Sequence, residues 1–308
     1  MSARFDLLGL GAVAVDELIS VDTYPPPDQK AHVLNTTRQC GGLTATALVA
    51  AARFGAKCAY AGVLGGDELS LFARCSMAEE RINLDYLLER AEARPVHSYI
   101  IVDQGRGTRN IFADARSAAG ADPNWPADEV ICGSAVLFVD HFGIAGMLRA
   151  AKIARKAGVP VVADLERDSG PEFQELLTLV DHLVISSDFA LSLTGAKNAG
   201  DAIERLWTAG RNTVVVTAGE QGCWFRCASG GYEMQHQAAF KIASVDTTGC
   251  GDVFHGVYAA ALAEGFPVEQ RILLSSAAAA IKATRPGGQS GIPYRSPLEK
   301  FVRETVIG

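Results

Sequence analysis

The sequence predicts a three-layer α/β sandwich, a mainly parallel central sheet covered by helices, with a small β lid attached. Three observations lead there. From about residue 130 onward, short apolar runs alternate with alanine- and leucine-rich stretches; glycines close several of the latter; and β-favouring segments at 30–38 and 96–113 stand outside that alternation. Strand and helix taken in turn require crossover connections, which make neighbouring strands parallel and put helices on both faces.

Phe5 to Val15 is apolar and punctuated by glycine, as a buried first strand ending at a functional turn would be. Tyr24-Pro25-Pro26-Pro27 then excludes a helix. Residues 14–40 and 95–115 are expected to build the lid, with 30–38 pairing onto 96–113 and Gln104-Gly105-Arg106-Gly107 forming a turn. Leu43 to Phe54 reads as a helix closed by Gly55. Further on come a strand at Ala135–Val139, a helix at Ala145–Ala157 ended by Gly158, and strands at Val159–Ala163, His182–Ile185 and Thr213–Thr217, with a helix over Asp201–Ala209. Phe254–Glu264 and Val268–Thr284 complete the series as two long helices. No repeat, biased tract or long linker divides the chain, so residues 1–308 are expected to form one domain.

An apolar content of 48% with 20% charged residues is that of a folded chain rather than a disordered one. A net charge of −7 without a cluster of Lys and Arg speaks against nucleic acid as a partner. The seven scattered cysteines read as reduced thiols, and Cys223 and Cys227 lack the second pair that a zinc site needs. Met1 to Asp6 carries no long apolar leader, and Leu7 to Val15 is too short to cross a bilayer, so a cytoplasmic protein is expected.

Function is most legible at Asp246-Thr247-Thr248-Gly249-Cys250-Gly251-Asp252, between a strand-like and a strongly helical segment. Two glycines around a small residue permit a tight turn, whose free amides at a helix N-terminus attract an anion. Asp252 sets a carboxylate beside that anion site, which repels phosphate unless it is there to take a proton. A general base next to donors for a migrating phosphoryl group meets both needs of phosphoryl transfer. The plain alternative is an N-capping aspartate after a glycine turn. Cys250 at a helix start could carry a depressed thiol, or be simply a small residue. His255 could face the site, or be packed and hydrogen-bonded on its helix. No Gly-Lys-Ser/Thr ends a glycine loop, so a P-loop is absent; Gly9-Leu10-Gly11 would need a helix to follow for a dinucleotide fingerprint, and Tyr24–Pro27 leaves no room for one.

Val245 to Gly256, reading Val-Asp-Thr-Thr-Gly-Cys-Gly-Asp-Val-Phe-His-Gly, resembles the C-terminal signature of the ribokinase-like carbohydrate kinases, the PfkB family. The resemblance implies a ribokinase-like fold, Asp252 as catalytic base and the amides of Gly249, Cys250 and Gly251 as anion hole. Asp16 looks like the family's sugar-binding aspartate and Gly41-Gly42 like its pocket diglycine, with Thr46 where an asparagine usually follows. Thr217-Ala218-Gly219-Glu220-Gln221-Gly222 is similar to the nucleotide loop, and Ser276 falls where a helix flanks adenine. Implied ligands are therefore ATP, magnesium bridging its phosphates, and a small-molecule sugar.

Asp246, Thr248, Lys282, Arg285, Gly287 and Gly291 fall at positions that in ribokinase-like members hold a monovalent cation such as potassium. Read structurally, Thr284 to Gly288 is a helix stop and turn. Where family members carry Asn-x-x-Glu before Leu-Thr-Gly, this chain has Ser186-Ser187-Asp188-Phe189 before Leu193-Thr194-Gly195. The glutamate is lost, which implies altered magnesium handling, with Asp188 as a substitute. These departures look closest to the sulfofructose kinase branch, where Lys30 would meet an anionic sugar substituent, although the companion arginine and asparagine are Phe142 and Ala113 here. A solvated lid lysine is the other reading of Lys30. A nucleoside kinase and a catalytically silent sugar-binding regulator are the rival functions, and exposed lid strands suggest a homodimer packed lid to lid.

Overall fold

Side chains of the central strands alternate in a way that demands helices on both faces. Leu7, Val136, Phe138, Val162, Val184 and Val215 enter one core, while Leu8, Leu137, Val139, Val161, Leu183 and Val214 enter the other. The structure, a computed structural model, describes residues 4–306. Residues 1–3, where the expected leaderless start falls, and 307–308 lie outside the description.

Along the chain come β1 (Phe5–Leu10), β2 (Ala14–Val21), β3 (Val33–Gly41), α1 (Leu43–Phe54), β4 (Cys58–Tyr60), β5 (Val63–Leu64), α2 (Glu68–Glu79), β6 (Leu88–Glu89), β7 (Val96–Asp103), β8 (Thr108–Asp114) and α3 (Asp128–Cys132). Next are β9 (Ser134–Val139), α4 (Ile144–Ala157), β10 (Val161–Asp164), α5 (Pro171–Leu179), β11 (His182–Ser186), α6 (Ser187–Thr194), α7 (Ala199–Leu206) and β12 (Thr213–Thr217). The series ends with β13 (Cys223–Cys227), β14 (Gln235–Gln237), α8 (Cys250–Ala263), α9 (Val268–Ala283) and α10 (Arg295–Val306).

The central sheet has the order β14-β13-β12-β11-β10-β9-β1-β4, parallel from β4 through β12, with β13 and β14 antiparallel at one edge. Helices α1, α8 and α9 cover one face, and α4 to α7 the other. Strand order reverses at β1, between β4 and β9, and such switch points open a crevice at the carboxyl ends of the strands.

Two expectations need correction. Phe5–Val15 is not one strand: β1 stops at Leu10, Gly11 turns the chain at φ 145°, and β2 starts a second sheet at Ala14. The corner is pinned by Asp140 at the end of β9. Its Oδ2 accepts from the Ala12 amide at 2.6 Å and the Thr44 hydroxyl at 2.9 Å, and its Oδ1 from the Phe142 amide at 2.7 Å. Burial pushes this carboxyl up to about 7 against those three donors. The second correction concerns the four-stranded sheet, whose order is β3-β2-β7-β8. The segments at 30–38 and 96–113 do not pair with each other. β2 lies between them, antiparallel to β3 and parallel to β7, because the chain leaving β1 enters this sheet at its middle.

The helix expected from Phe254 begins earlier, at Cys250, which puts Asp252 in its first turn. Helix α2, unforeseen, buries only Ser70, Ala73 and Met77, too narrow a stripe to stand out as a pattern. Among the described residues no helix is long and apolar enough to cross a membrane.

Candidate active site

Helix α8 begins where it does because Gly249, at φ 77°, reverses the backbone. A Cβ at 249 would lie 2.9 Å from the carbonyl oxygen of Gly288, so the loop after α9 presses on this turn closely enough to exclude a side chain. The Cys250 amide donates to the Thr247 carbonyl at 3.2 Å, a long bond. Among the described residues the amides of Gly249, Gly251 and Asp252 meet no backbone acceptor. Unclaimed amides at the positive end of a helix dipole can receive an anion. Gly251 has open space where its Cβ would stand.

Asp252 is partly exposed in this first turn, yet burial pushes its carboxyl well above the usual range. Repulsion from Asp164, Glu166 and Asp16 adds to that, and His255 opposes it. Asp164, at the end of β10, is raised in the same way by burial and then by Glu166 and Asp140, and it is hydrogen-bonded to Asp252. Two carboxyls that bear on each other's charge titrate as a pair. His255 lies one turn along α8. Its Nδ1 is 2.8 Å from the Gly251 carbonyl and 3.2 Å from Asp164 Oδ2, and its Nε2 is 2.8 Å from the Val184 carbonyl. The ring thus bridges the Gly251 and Val184 carbonyls and the Asp164 carboxyl. The group as a whole is a carboxyl pair of raised proton affinity backed by a buried imidazole. Cys250 does not follow the expectation of a depressed thiol: burial raises it, and its Sγ approaches the Ala279 carbonyl at 3.5 Å.

Beside the turn opens a cavity of roughly 630 Å³. Thr217, Gly219, Gly222 and Ser276, all named from the sequence as nucleotide residues, line it together with Cys250 and Gly251. Phe240, Lys241, Ile242, Ala279 and Ala280 also line it and were not foreseen. Ser186 is not part of it; its hydroxyl accepts from the Phe189 amide at 3.2 Å as the N-cap of α6. Asp188, the suggested magnesium substitute, is exposed in the first turn of the same helix.

Asp16 of β2, close enough to raise Asp252, is 8% exposed and itself raised by burial against Ser98 and His97. The diglycine explains itself sterically. A Cβ at Gly41 would come 2.5 Å from Asp16 Oδ2, and one at Gly42 (φ 95°) 2.6 Å from the Ala14 amide nitrogen. Thr46 accepts from Gln289 Nε2 at 3.2 Å. Gln39, directly across from Asp16 on β3, accepts from the Gly288 amide at 3.2 Å and leaves its Nε2 buried without a partner. Lys30 is exposed between β2 and β3.

The six residues named for a cation gather at the loop after α9. Asp246 Oδ1 accepts from the Thr248 amide at 2.8 Å and hydroxyl at 2.7 Å, and Oδ2 from the Gly287 amide at 2.8 Å. Burial opposes ionisation there, but these donors and Lys282 hold the carboxyl below the usual range. The Lys282 carbonyl accepts from the Arg285 amide at 3.1 Å, and a Cβ at Gly291 would lie 2.7 Å from that oxygen.

Sequence reasoning missed Asp140, Asp164, Glu166 and Gln39. A signal existed for the first two, since each is the carboxylate at the carboxyl end of an apolar run, where open α/β sheets bind ligands.

The family model described as "pfkB family carbohydrate kinase" matches residues 10–295. The chain is 28% identical to a ribokinase of Haemophilus influenzae over 306 residues, covering 97% of this chain and 99% of that one. Among solved structures, the ribokinase of Thermotoga maritima superimposes with a TM-score of 0.85 at 24% identity, covering 97% and 99% of the two chains. Ribokinase of Arabidopsis thaliana, solved with ribose and ATP, gives 0.83 at 23% identity, covering 98% and 99%. The chain belongs to the pfkB family of carbohydrate kinases.

Proposed function

We propose that this carbohydrate kinase moves the γ-phosphoryl group of ATP to a primary hydroxyl of a sugar or sugar derivative, with Asp252 as the base. The observation that carries this is the place of one carboxylate: Asp252 shares its turn with Gly251, which lines the large cavity, and feels the charge of Asp16. ATP lies along Thr217–Gly222 with its terminal phosphate over Gly249–Gly251. Asp16 holds the sugar. The Asp252–Asp164 pair, once deprotonated, takes the proton of the attacking hydroxyl, and its raised affinity for protons suits that task. The free amides then stabilise the charge on the migrating group.

Magnesium, which the family implies, fits the exposed carboxylate of Glu166 beside Asp164 better than Asp188, because Glu166 is close enough to raise Asp252. Such an ion would neutralise charge on the polyphosphate. The sheet β3-β2-β7-β8 serves as the lid of a single kinase domain and closes over the sugar to exclude water. None of the seven cysteines is in a disulfide, in keeping with a cytoplasmic setting. A silent regulator is disfavoured by the intact base, anion turn and cavity.

Steady-state ADP release with hexoses, pentoses, sulfosugars, sugar acids and nucleosides tests the reading. At least one neutral sugar should raise the rate above the sugar-free level. Asp16→Ala should raise KM for that acceptor about 10- to 100-fold, as loss of a hydrogen bond to a charged group does. Stimulation by nucleosides alone would replace the sugar by a nucleoside, and no stimulation by any acceptor would overturn the proposal. A sulfosugar preference lost in Lys30→Ala would assign the chain to the sulfofructose branch.

Val33, Leu34, Tyr99 and Phe112 are exposed apolar side chains of the lid sheet, which supports a lid-to-lid homodimer. Light scattering should give twice the mass of 32.5 kDa at micromolar concentration; a one-chain mass counts against the dimer.

A further inference from the structure

We propose that the Lys282 ammonium takes the place of the monovalent cation in this chain, so that the loop leading into the anion turn keeps its working shape without potassium. Lysine is almost never fully buried unless it is paired. Lys282, in the last turn of α9, is 0% exposed, and its Nζ donates to the main-chain carbonyl of Asp246 at 2.9 Å. That carbonyl opens the Asp246–Asp252 signature, so the ammonium is anchored three residues before Gly249.

Four of the oxygens that a cation would draw on already accept from donors of the chain. Both carboxylate oxygens of Asp246 accept hydrogen bonds, from Thr248 and from the Gly287 amide, and its carbonyl accepts from Lys282. The Lys282 carbonyl accepts from the Arg285 amide and is hemmed in by Gly291. A second fixed cation arrives from the lid: Arg109 Nη1 of β8 lies 3.5 Å from Asp246 Oδ1. A desolvated potassium ion would have to strip these bonds and sit beside two positive side chains, whereas an ammonium on a tether supplies one positive charge and its own donors. The residues present therefore fit a covalently held cation better than a free one.

The inference rests on the nucleotide-site reading above, because the loop matters through the anion turn that it braces. The test is a titration of wild-type protein with ATP in potassium chloride and in tetramethylammonium chloride at equal ionic strength, with thermal midpoints recorded in both salts. Wild type should bind ATP within about twofold in the two salts, against the about 5- to 150-fold that coupling between sites commonly gives. Its midpoint should not respond to potassium. Lys282→Met should bind ATP more weakly in tetramethylammonium and recover in potassium, which is small enough to enter the vacated place.

Tighter ATP binding or a raised midpoint for wild type in potassium would overturn the proposal. So would a folded Lys282→Met that binds like wild type in tetramethylammonium. Should Lys282→Met fail to fold, the wild-type comparison decides alone. No ATP binding in either salt would sink the nucleotide-site reading instead, and the midpoints of the wild type would still judge this one.

Discussion

Replacing Asp252 by asparagine is expected to lower kcat by about 10²- to 10⁴-fold, the usual contribution of a positioned general base. ATP binding should survive, because the cavity wall is built from Thr217, Gly219, Gly222, Ser276 and their neighbours rather than from this side chain. The same substitution should raise the thermal midpoint, and the sign of its pH dependence is determined. The folded-state affinity of Asp252 for its proton is raised above that of the unfolded chain. Below the unfolded carboxylate range both states hold the proton and the group contributes nothing to the difference. As pH rises from there through the folded value, the unfolded chain releases its proton first, so wild type loses stability over that window. The amide of the Asp252→Asn variant does not ionise, so its gain over wild type should be present at about pH 8 and vanish near about pH 3. In wild type, kcat/KM should fall on acidification at a pH above the ordinary carboxylate range, as the pair with Asp164 regains its proton. A variant that turns over at nearly the wild-type rate ends the assignment of the base, whatever its stability.

Gly249→Ala is expected to have the next largest effect. Residue 249 stands at φ 77°, where a side chain costs roughly 1–2 kcal/mol, and its Cβ would meet a backbone carbonyl rather than a flexible side chain. The turn must open or the 285–291 loop must retreat, and either movement disperses the amides aimed at the anion. A loss in kcat of about 10²- to 10³-fold follows if the damage equals that of removing one oxyanion donor, with a lower thermal midpoint besides. Gly251→Ala is the control. An added Cβ there meets nothing within 4 Å and falls within a regular helix, so the fold should tolerate it, and any loss should show only in nucleotide binding and turnover. Equal kcat values for Gly249→Ala and wild type would mean that the turn does not stabilise the migrating group.

Both predictions concern a motif that is contiguous in sequence, and this explains why it could be read without coordinates. Glycine, helix start and carboxylate follow one another within Gly249–Asp252, and helix geometry alone places the amides and Asp252 together. The strands of the central sheet were legible for a similar reason, since Thr213–Thr217 and its neighbours are short apolar runs with glycine or proline near their ends. The lid was less so. Each of its segments was recognised as β-favouring, but their order depends on which edges meet, and β2 was concealed within what looks like a single apolar run from Phe5 to Val15.

What surrounds Asp252 was hardly legible at all. Asp164 and Glu166 are more than 80 residues from Asp252, and a carboxylate at the end of a strand looks like any other until the neighbouring strand and helix are set beside it. Lys282 offered its position in sequence but not its direction: a lysine at the end of a helix ordinarily points into water, and here the ammonium turns inward onto the Asp246 carbonyl. Sequence by itself determined the family signature, the layered sheet and the turn that can receive an anion, because those follow from neighbours along the chain and from local periodicity. The basicity of Asp252, the burial of His255 against Asp164 and the inward turn of Lys282 were decided only by tertiary structure, because desolvation and charge–charge interaction depend on distance through space and not on separation along the chain.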